Sequence, residues 1–412
     1  MSGVHPPVTS TTSVPQSPWA LLRLISGHVC LHASMAGMRL AAPLWALQQG
    51  YGPLAVGFLL ALFSLSQVFL ALPAGRFADR HGLRKPVSWA VVASIIGAST
   101  AALYPHFVVL CFSALMMGGA TGAAAIALQR HVGRAAADAT DLRRVFSWLS
   151  IGPAISNFLG PVAAGLLIDY AGVWLGDQVA DRNGFVAAFA LMALLPSLAW
   201  WCVRATREQE PVAQAGEATP SAWPLLKDPT MRRLLLVNWL LSSCWDVHTF
   251  VVPVLGHERG FSASVIGTIL GAFAVAAAVV RVFLPLLAAR LREWAVVTTA
   301  MVATAILFAV YPLMPTAWAM GACSVLLGLA LGTVQPMIMS TLHQITPHAM
   351  HGQAIALRLM TINLSSVLMP MLFGTAGVVV GVSVVFWTVG ALVGLGSHAA
   401  WGLRAGPHTG SP

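Results

Sequence analysis

Seven ionisable side chains interrupt the long apolar runs of this 412-residue chain: Arg39, Asp246, Arg281 and Arg358, with His28, His32 and His248. A charge buried in such a run costs about 2.5–3.5 kcal/mol on insertion scales, so each of these groups is a functional candidate. Asp246 is the only carboxylate deep in any run. Burial and a nearby arginine pull a carboxylate's proton affinity in opposite directions, which is the tunable setting a proton-transfer step requires. The same residue could equally serve in a fixed ion pair with Arg39 or Arg281. Arg39 could hold an anionic group, or form an ion pair or cap near Pro43. His28 and His32 could titrate near neutral pH or be satisfied packing residues. The spacing of His28, Cys30 and His32 does not make a metal site, because positions two apart do not share a helix face.

Helical spacing gathers these groups into stripes. At about 100° per residue, His28, His32, Met35 and Arg39 fall within a sector of roughly 60°. Asn238, Ser242, Trp245 and Thr249 form a second narrow stripe with Asp246 at its edge. Gln335 and Pro336 supply a polar contact and a local break in a third segment. Trp245 and Met35 would suit a wall facing an aromatic or greasy molecule. Most of the 14 Trp and 16 Met read as packing or interface residues.

The elements that carry these stripes follow from composition. The chain is 58% hydrophobic and only 8% charged, with a mean hydropathy of +0.79. Soluble domains carry roughly 25% charged residues, and disorder needs the opposite balance. Transmembrane barrels show a weak alternating pattern rather than long continuous apolar runs. The reading is an all-α protein of about twelve membrane helices. Runs fall at about 19–47, 53–75, 86–104, 107–129, 146–168 and 184–203, then at 232–255, 262–288, 295–313, 317–342, 354–377 and 381–403. Residues 1–17 read as a disordered tail rather than a signal peptide, and 405–412 as a second tail. The expected division is a six-helix bundle over 18–203, a cytoplasmic linker over 204–231 and a second bundle over 232–404.

The net charge of +9 forms no face for nucleic acid; it sits in short clusters between runs. Arg76, Arg80, Arg84 and Lys85, then Arg130, Arg134, Arg143 and Arg144, then Arg204, Arg207, Lys227, Arg232 and Arg233, and Arg290 with Arg292 all fall on one side. The other side holds Arg182 and Arg259 beside Asp169, Asp177, Asp181 and Glu258. The positive-inside rule makes the basic side, and both termini, cytoplasmic. The five cysteines lie singly in apolar runs and read as neither a disulfide framework nor a metal cluster.

The halves repeat at a shift of 210. It carries Pro43 to Pro253, Gly50 to Gly260, Gly57 to Gly267, Phe63 to Phe273, and Gly118 and Gly122 to Gly328 and Gly332. A shift of 209 takes Pro161 and Gly165 to Pro370 and Gly374. Parallel six-helix repeats about an axis along the membrane normal are a plan for rocking around a central site.

After the second run the sequence reads GRFADRHGLRK, with Gly75, Asp79, Arg80, Gly82, Arg84 and Lys85. It resembles the major facilitator superfamily loop signature GxxxDRxGRR/K, departing at Leu83, where a basic residue is usual. Gly75 would let helices approach closely, and Gly82 would permit a tight turn. The fifth run contains SIGPAISNFLGPVAAGLL, with Gly152, Pro153, Gly160, Pro161 and Gly165. It is similar to the family's "antiporter" motif, whose small residues would pack closely against a helix of the other half. The stretch holding Gly328, Gln335, Pro336, Gly352, Arg358, Asn363 and Pro370 also resembles bacterial drug-efflux members. The arginine usual midway along the fourth helix of proton-coupled exporters is missing.

The resemblance implies a two-bundle fold with a central cavity lined by the first, fourth, seventh and tenth helices, so both polar stripes should face it. It also implies a cytoplasmic latch between Asp79 and Arg358. The function implied is alternating-access transport, with protons as coupling ion and export of a small amphiphilic or drug-like molecule; uptake of an organic anion is the alternative. The expected setting is a monomer in the lipid bilayer of a bacterial inner membrane, without cofactor. A membrane-embedded enzyme or a sensor is the reading from another class. No Walker motif, nucleophile–base pair, HExxH or long cytosolic domain supports ATP hydrolysis, an enzyme or a sensor.

Overall fold

The computed structural model describes residues 18–135, 139–174, 180–206, 223–287, 292–346 and 351–405. Among the described residues, twelve long helices run alternately up and down. They are α1 (Pro18–Gln48), α2 (Pro53–His81), α3 (Arg84–Leu103), α4 (Phe107–Ala135), α5 (Ala139–Trp174) and α6 (Ala180–Val203), then α7 (Pro229–Glu258), α8 (Ala263–Leu287), α9 (Glu293–Val310), α10 (Ala317–Ile345), α11 (His351–Val380) and α12 (Val382–Trp401). Eleven of them are long and apolar enough to cross a membrane among the described residues. The exception, α1, carries two histidines and two arginines, yet its 31 residues also exceed the length a crossing needs.

Local chemistry sets the boundaries. Asp228 caps α7, accepting from the Thr230 N–H at 2.9 Å with Pro229 at the first helical position, and Thr316 caps α10. The helices overrun the apolar runs at the charged ends. Gly75 through Arg80 therefore lie inside α2, and Arg84 and Lys85 inside α3, rather than in a loop. Only Gly82 and Leu83 connect the two, and Gly82 takes φ 73°, a left-handed turn that suits glycine. Leu83 is buried in the first half's core, which is why an apolar residue serves there. The end of the bundle holding this turn, the start of α1 and the end of α12 is called here the terminal end. The opposite one is the far end.

The repeat reappears atom by atom. In the α1–α2 turn Gly50 has φ 83° and Tyr51 N–H donates to Ala46. In the α7–α8 turn Gly260 has φ 71° and Phe261 N–H donates to Gly256, each position 210 further on. Glycine also serves as a groove at matching places: a Cβ on Gly118 would strike the Phe63 carbonyl, and one on Gly328 the Phe273 carbonyl. Gly75, by contrast, faces open space, so it does not serve as a close-approach point.

The halves meet along two seams, α5 against α8 and α2 against α11. Outside these seams the molecule presents large apolar side chains, with Trp19 and Trp318 near helix ends. Tryptophan at such levels suits a lipid–water boundary.

Candidate functional site

Between the halves lies a cavity of about 410 Å³, in the range that accommodates a small organic molecule. From α7 it is lined by Asn238, Ser242, Trp245 and Asp246, most of the predicted stripe. Arg39 enters from α1 and Gln335 from α10, as expected. The fourth helix contributes no lining residue among those described. Its expected place is taken by Pro153 and Asn157 of α5, Arg281 of α8, and Ile362 and Ser366 of α11.

Asp246 is almost wholly buried. Ser365 donates a hydroxyl hydrogen bond to one carboxylate oxygen at 2.8 Å, and Ser366 donates to the other at 3.2 Å. Ser243 lies 3.2 Å from Ser365 and extends the network back to α7. Arg39 acts on the Asp246 charge from the facing helix. Among the described residues no ion pair closes onto the carboxylate; serine hydroxyls hold it instead. Trp245 stands edge-on to Phe273 with ring centroids 4.5 Å apart. The Arg281 guanidinium lies 5.9 Å from the Trp245 ring centre and its Nε donates to the Gly332 carbonyl at 3.3 Å. One cavity wall is thus an indole with a cation over it, and another a serine-held carboxylate.

Several predicted residues lie elsewhere. The α1 stripe splits, because only its far-end portion reaches the cavity. His28 packs against Gly152 of α5 and lines a small crevice with Leu83 and Val87. His32 lies 5.9 Å from it, ring to ring. Met35 is buried and accepts from the Gln67 amide at 3.6 Å. Thr249 donates back to the carbonyls of Trp245 and Asp246 and does not line the cavity. Of the fifth-helix motif, Gly160 packs on α1 of its own half, Gly165 on α8 of the other half, and Gly152 makes only ordinary contact. The Pro161 carbonyl lies where a Cβ on Gly267 would sit, so the two backbones pack directly. Of the terminal-end motif, Arg84 donates to the Thr206 carbonyl at the end of α6 and Arg80 and Lys85 are exposed. The Asp79 side chain, and with it the expected contact to Arg358, lies outside the described residues.

Sequence reasoning missed Asn157, Ser365 and Ser366. The signal was available: Ser156–Asn157 and Ser365–Ser366 are adjacent polar pairs inside apolar spans. It also missed a polar cluster in the second half, where His248 lies 2.9 Å from Ser324, and Ser324 2.8 Å from the Tyr311 hydroxyl.

Comparison with known proteins bears on this arrangement. A family model described as Major Facilitator Superfamily matches residues 24–317 and 234–412. The chain is 27% identical over 237 residues to "Tetracycline resistance protein, class C" of Escherichia coli, covering 55% of this chain and 56% of that one. It therefore spans about half the length of the curated relative it matches. Among solved structures, a point mutant of the nucleoside transporter NupG superposes with TM-score 0.74 at 14% identity, covering 93% of this chain and 99% of that one. A bacterial homologue of the human lysosomal transporter Spinster, inward-facing and occupied, gives 0.77 at 14%, covering 95% and 98%. A POT family transporter in complex with a thioalcohol-conjugated peptide gives 0.77 at 14%, covering 94% and 97%. At these identities the likeness is one of fold.

Proposed function

The chain belongs to the major facilitator superfamily and is a multi-pass membrane transporter rather than an enzyme, and from that premise we propose that it exports a small amphiphilic or drug-like molecule in exchange for protons. The observation that carries the reading is Asp246, the one buried carboxylate lining the cavity between the halves among the described residues. A proton arriving there removes the charge that Arg39 balances, and substrate entering the cavity changes the same balance. Either event alters the relative stability of two arrangements of the halves, which is the coupling that exchange requires. The tetracycline resistance relative supports the outward direction. Trp245 and the apolar lining suit an aromatic body.

In this reading the terminal end faces the cytoplasm of a bacterial inner membrane, as its arginine and lysine clusters favour. The seams at the far end then close the outer gate, and the cavity is poised to take substrate from inside.

The test is proton movement in proteoliposomes on addition of amphiphilic compounds. Wild type should move protons when substrate is added, and Asp246→Asn should abolish that response while keeping substrate binding within about tenfold, the scale of a lost charge-assisted contact. Proton movement surviving in the variant removes Asp246 from the relay. No response from wild type to a broad panel removes the coupled-export reading.

A further inference from the structure

The cavity holds more positive charge than its own acid can neutralise. Asp246 is the only acidic residue lining it among those described, and Arg39 acts on that charge. Arg281 has a carbonyl and an indole as neighbours but no carboxylate among the described residues. Arg358 is more isolated still. It is 5% exposed, its Nε and one terminal nitrogen have no hydrogen-bond partner among the described residues, and Arg281 is near enough for the two like charges to repel.

Helical register places the two arginines at one level. Ala274, Ala277 and Arg281 share a face of α8, and Arg358, Ile362 and Ser366 lie on one side of α11, within a sector of roughly 80°. Ala274, Ala277, Arg281, Ile362 and Ser366 line the cavity, and Arg358 lies one turn beyond Ile362 towards the terminal end, next to the lining rather than in it. Counting residues from the far-end termini of α7 and α8, Arg281 lies about 9 Å nearer the terminal end than Asp246. The cavity is therefore bipolar, with opposite charges on Arg39 and Asp246 above, and below them Arg281 in the lining with Arg358 buried beside it. A buried guanidinium with unmet donors, set at the level of a second, half-buried one, is costly until an anion joins them. A guanidinium fork matches the two oxygens of a carboxylate.

We infer that Arg281 and Arg358 form an oxyanion subsite, which holds the carboxylate of an aromatic, amphiphilic substrate whose ring lies against Trp245. This rests on the cavity being the substrate site, and it assigns Arg358 to ligand rather than to Asp79.

The experiment compares 2-naphthoate with its methyl ester by calorimetry on the full chain in lipid nanodiscs, with empty discs subtracted. The pair differs in charge but hardly in size. Wild type should bind the acid about tenfold or more tightly than the ester. Arg358→Gln and Arg281→Gln should each erase that preference while ester affinity stays within about twofold. Arg358→Lys, which keeps the charge and serves if the glutamine variant does not fold, should retain part of it. The inference is overturned if wild type shows no acid preference, if the neutral variants keep it, or if they weaken acid and ester alike. No gradient or turnover enters the measurement, so its outcome is separate from that of the proton-flux test. Loss of transport in Arg358→Gln with acid preference intact also overturns it, and returns the residue to a gating role.

Discussion

The two far-end seams are the same structure built twice, with one difference. Where α5 meets α8, a Cβ on Gly165 would strike the Ala263 carbonyl, and one on Gly267 the Pro161 carbonyl. Where α11 meets α2, Gly374 meets Pro53 and Gly57 meets Pro370 in the same way, at positions shifted by 209 or 210. Four glycines let four backbones touch, and the pseudo-symmetry of the sequence becomes a pseudo-symmetry of contact. The difference is charge. The Asp169 carboxylate of α5 accepts from the first two free N–H groups of α8, Ala263 at 3.0 Å and Ser264 at 2.7 Å. It thus caps a helix of the opposite half, where a helix N-terminus favours an anion. In the other seam the corresponding residue is Val378, and α2 begins with Pro53, which has no N–H to offer. Among the described residues one seam is held by fit alone and the other by fit plus a charged cap. If the halves rock, every bond in both seams must break when the far end opens, and the capped seam should dominate the electrostatic part of that cost.

The largest effect is expected from the shared element. Gly57→Ala and Gly267→Ala each push a methyl into a backbone carbonyl that cannot move aside as a side chain can. Overpacking of this kind costs roughly 1–3 kcal/mol, which shifts a two-state equilibrium about 5–150-fold towards the open far end. The two variants should behave alike, because the seams are alike at these points. Spin labels placed by Tyr51→Cys and Val379→Cys, with the native cysteines replaced, report the separation of α2 and α11 by pulsed electron resonance. Alanine favours helix over glycine by about 1 kcal/mol, so a simple loss of fold is not the expected cause. A seam whose glycine tolerates alanine without a longer distance is not a contact that gates the far end.

Asp169→Ala should give a smaller shift in the same direction. A lost charged N-cap costs about 0.5–2 kcal/mol, which opens the far end by up to roughly thirtyfold. The labels sit on the other seam, so they read rocking of the whole half and not local fraying of α8. If α8 loosens and the label distance stays fixed, the cap stabilises a helix end without coupling the halves.

Much of this could be read before the coordinates. The twelve helices follow from apolar runs that nothing in the chain contradicts, and the repeat from glycines at one shift. The site was legible where periodicity meets chemistry, as at Asn238, Ser242, Trp245 and Asp246 on α7. It was not legible on α1, where His28, His32 and Arg39 share a face but only Arg39 lies far enough along to leave the cover of α5. A wheel gives direction around a helix; it does not say which stretch of that face a neighbour covers. Asp169 was read as a loop-side charge, because its partners are backbone N–H groups 94 and 95 residues away. Such donors leave no trace in side-chain pattern.

The finest test separates the cap's two bonds. Ala263→Pro removes the N–H that reaches Asp169 at 3.0 Å and leaves the shorter bond to Ser264 in place. Proline is well suited to the first position of a helix, so α8 itself should not suffer. The substitution makes the start of α8 resemble that of α2, which already has proline there. The expected cost is the net worth of one hydrogen bond to a charged acceptor, about 1.5 kcal/mol at the low end of its range, and no more than Asp169→Ala produces. In the Asp169→Ala background the same change should do almost nothing, since no acceptor remains. The reverse exchange, Pro53→Ala, restores an N–H that meets no carboxylate among the described residues of its seam, and should leave the label distances unchanged. An effect of Ala263→Pro that persists without Asp169 would place the difference between the seams in the shape of the helix start rather than in its charge.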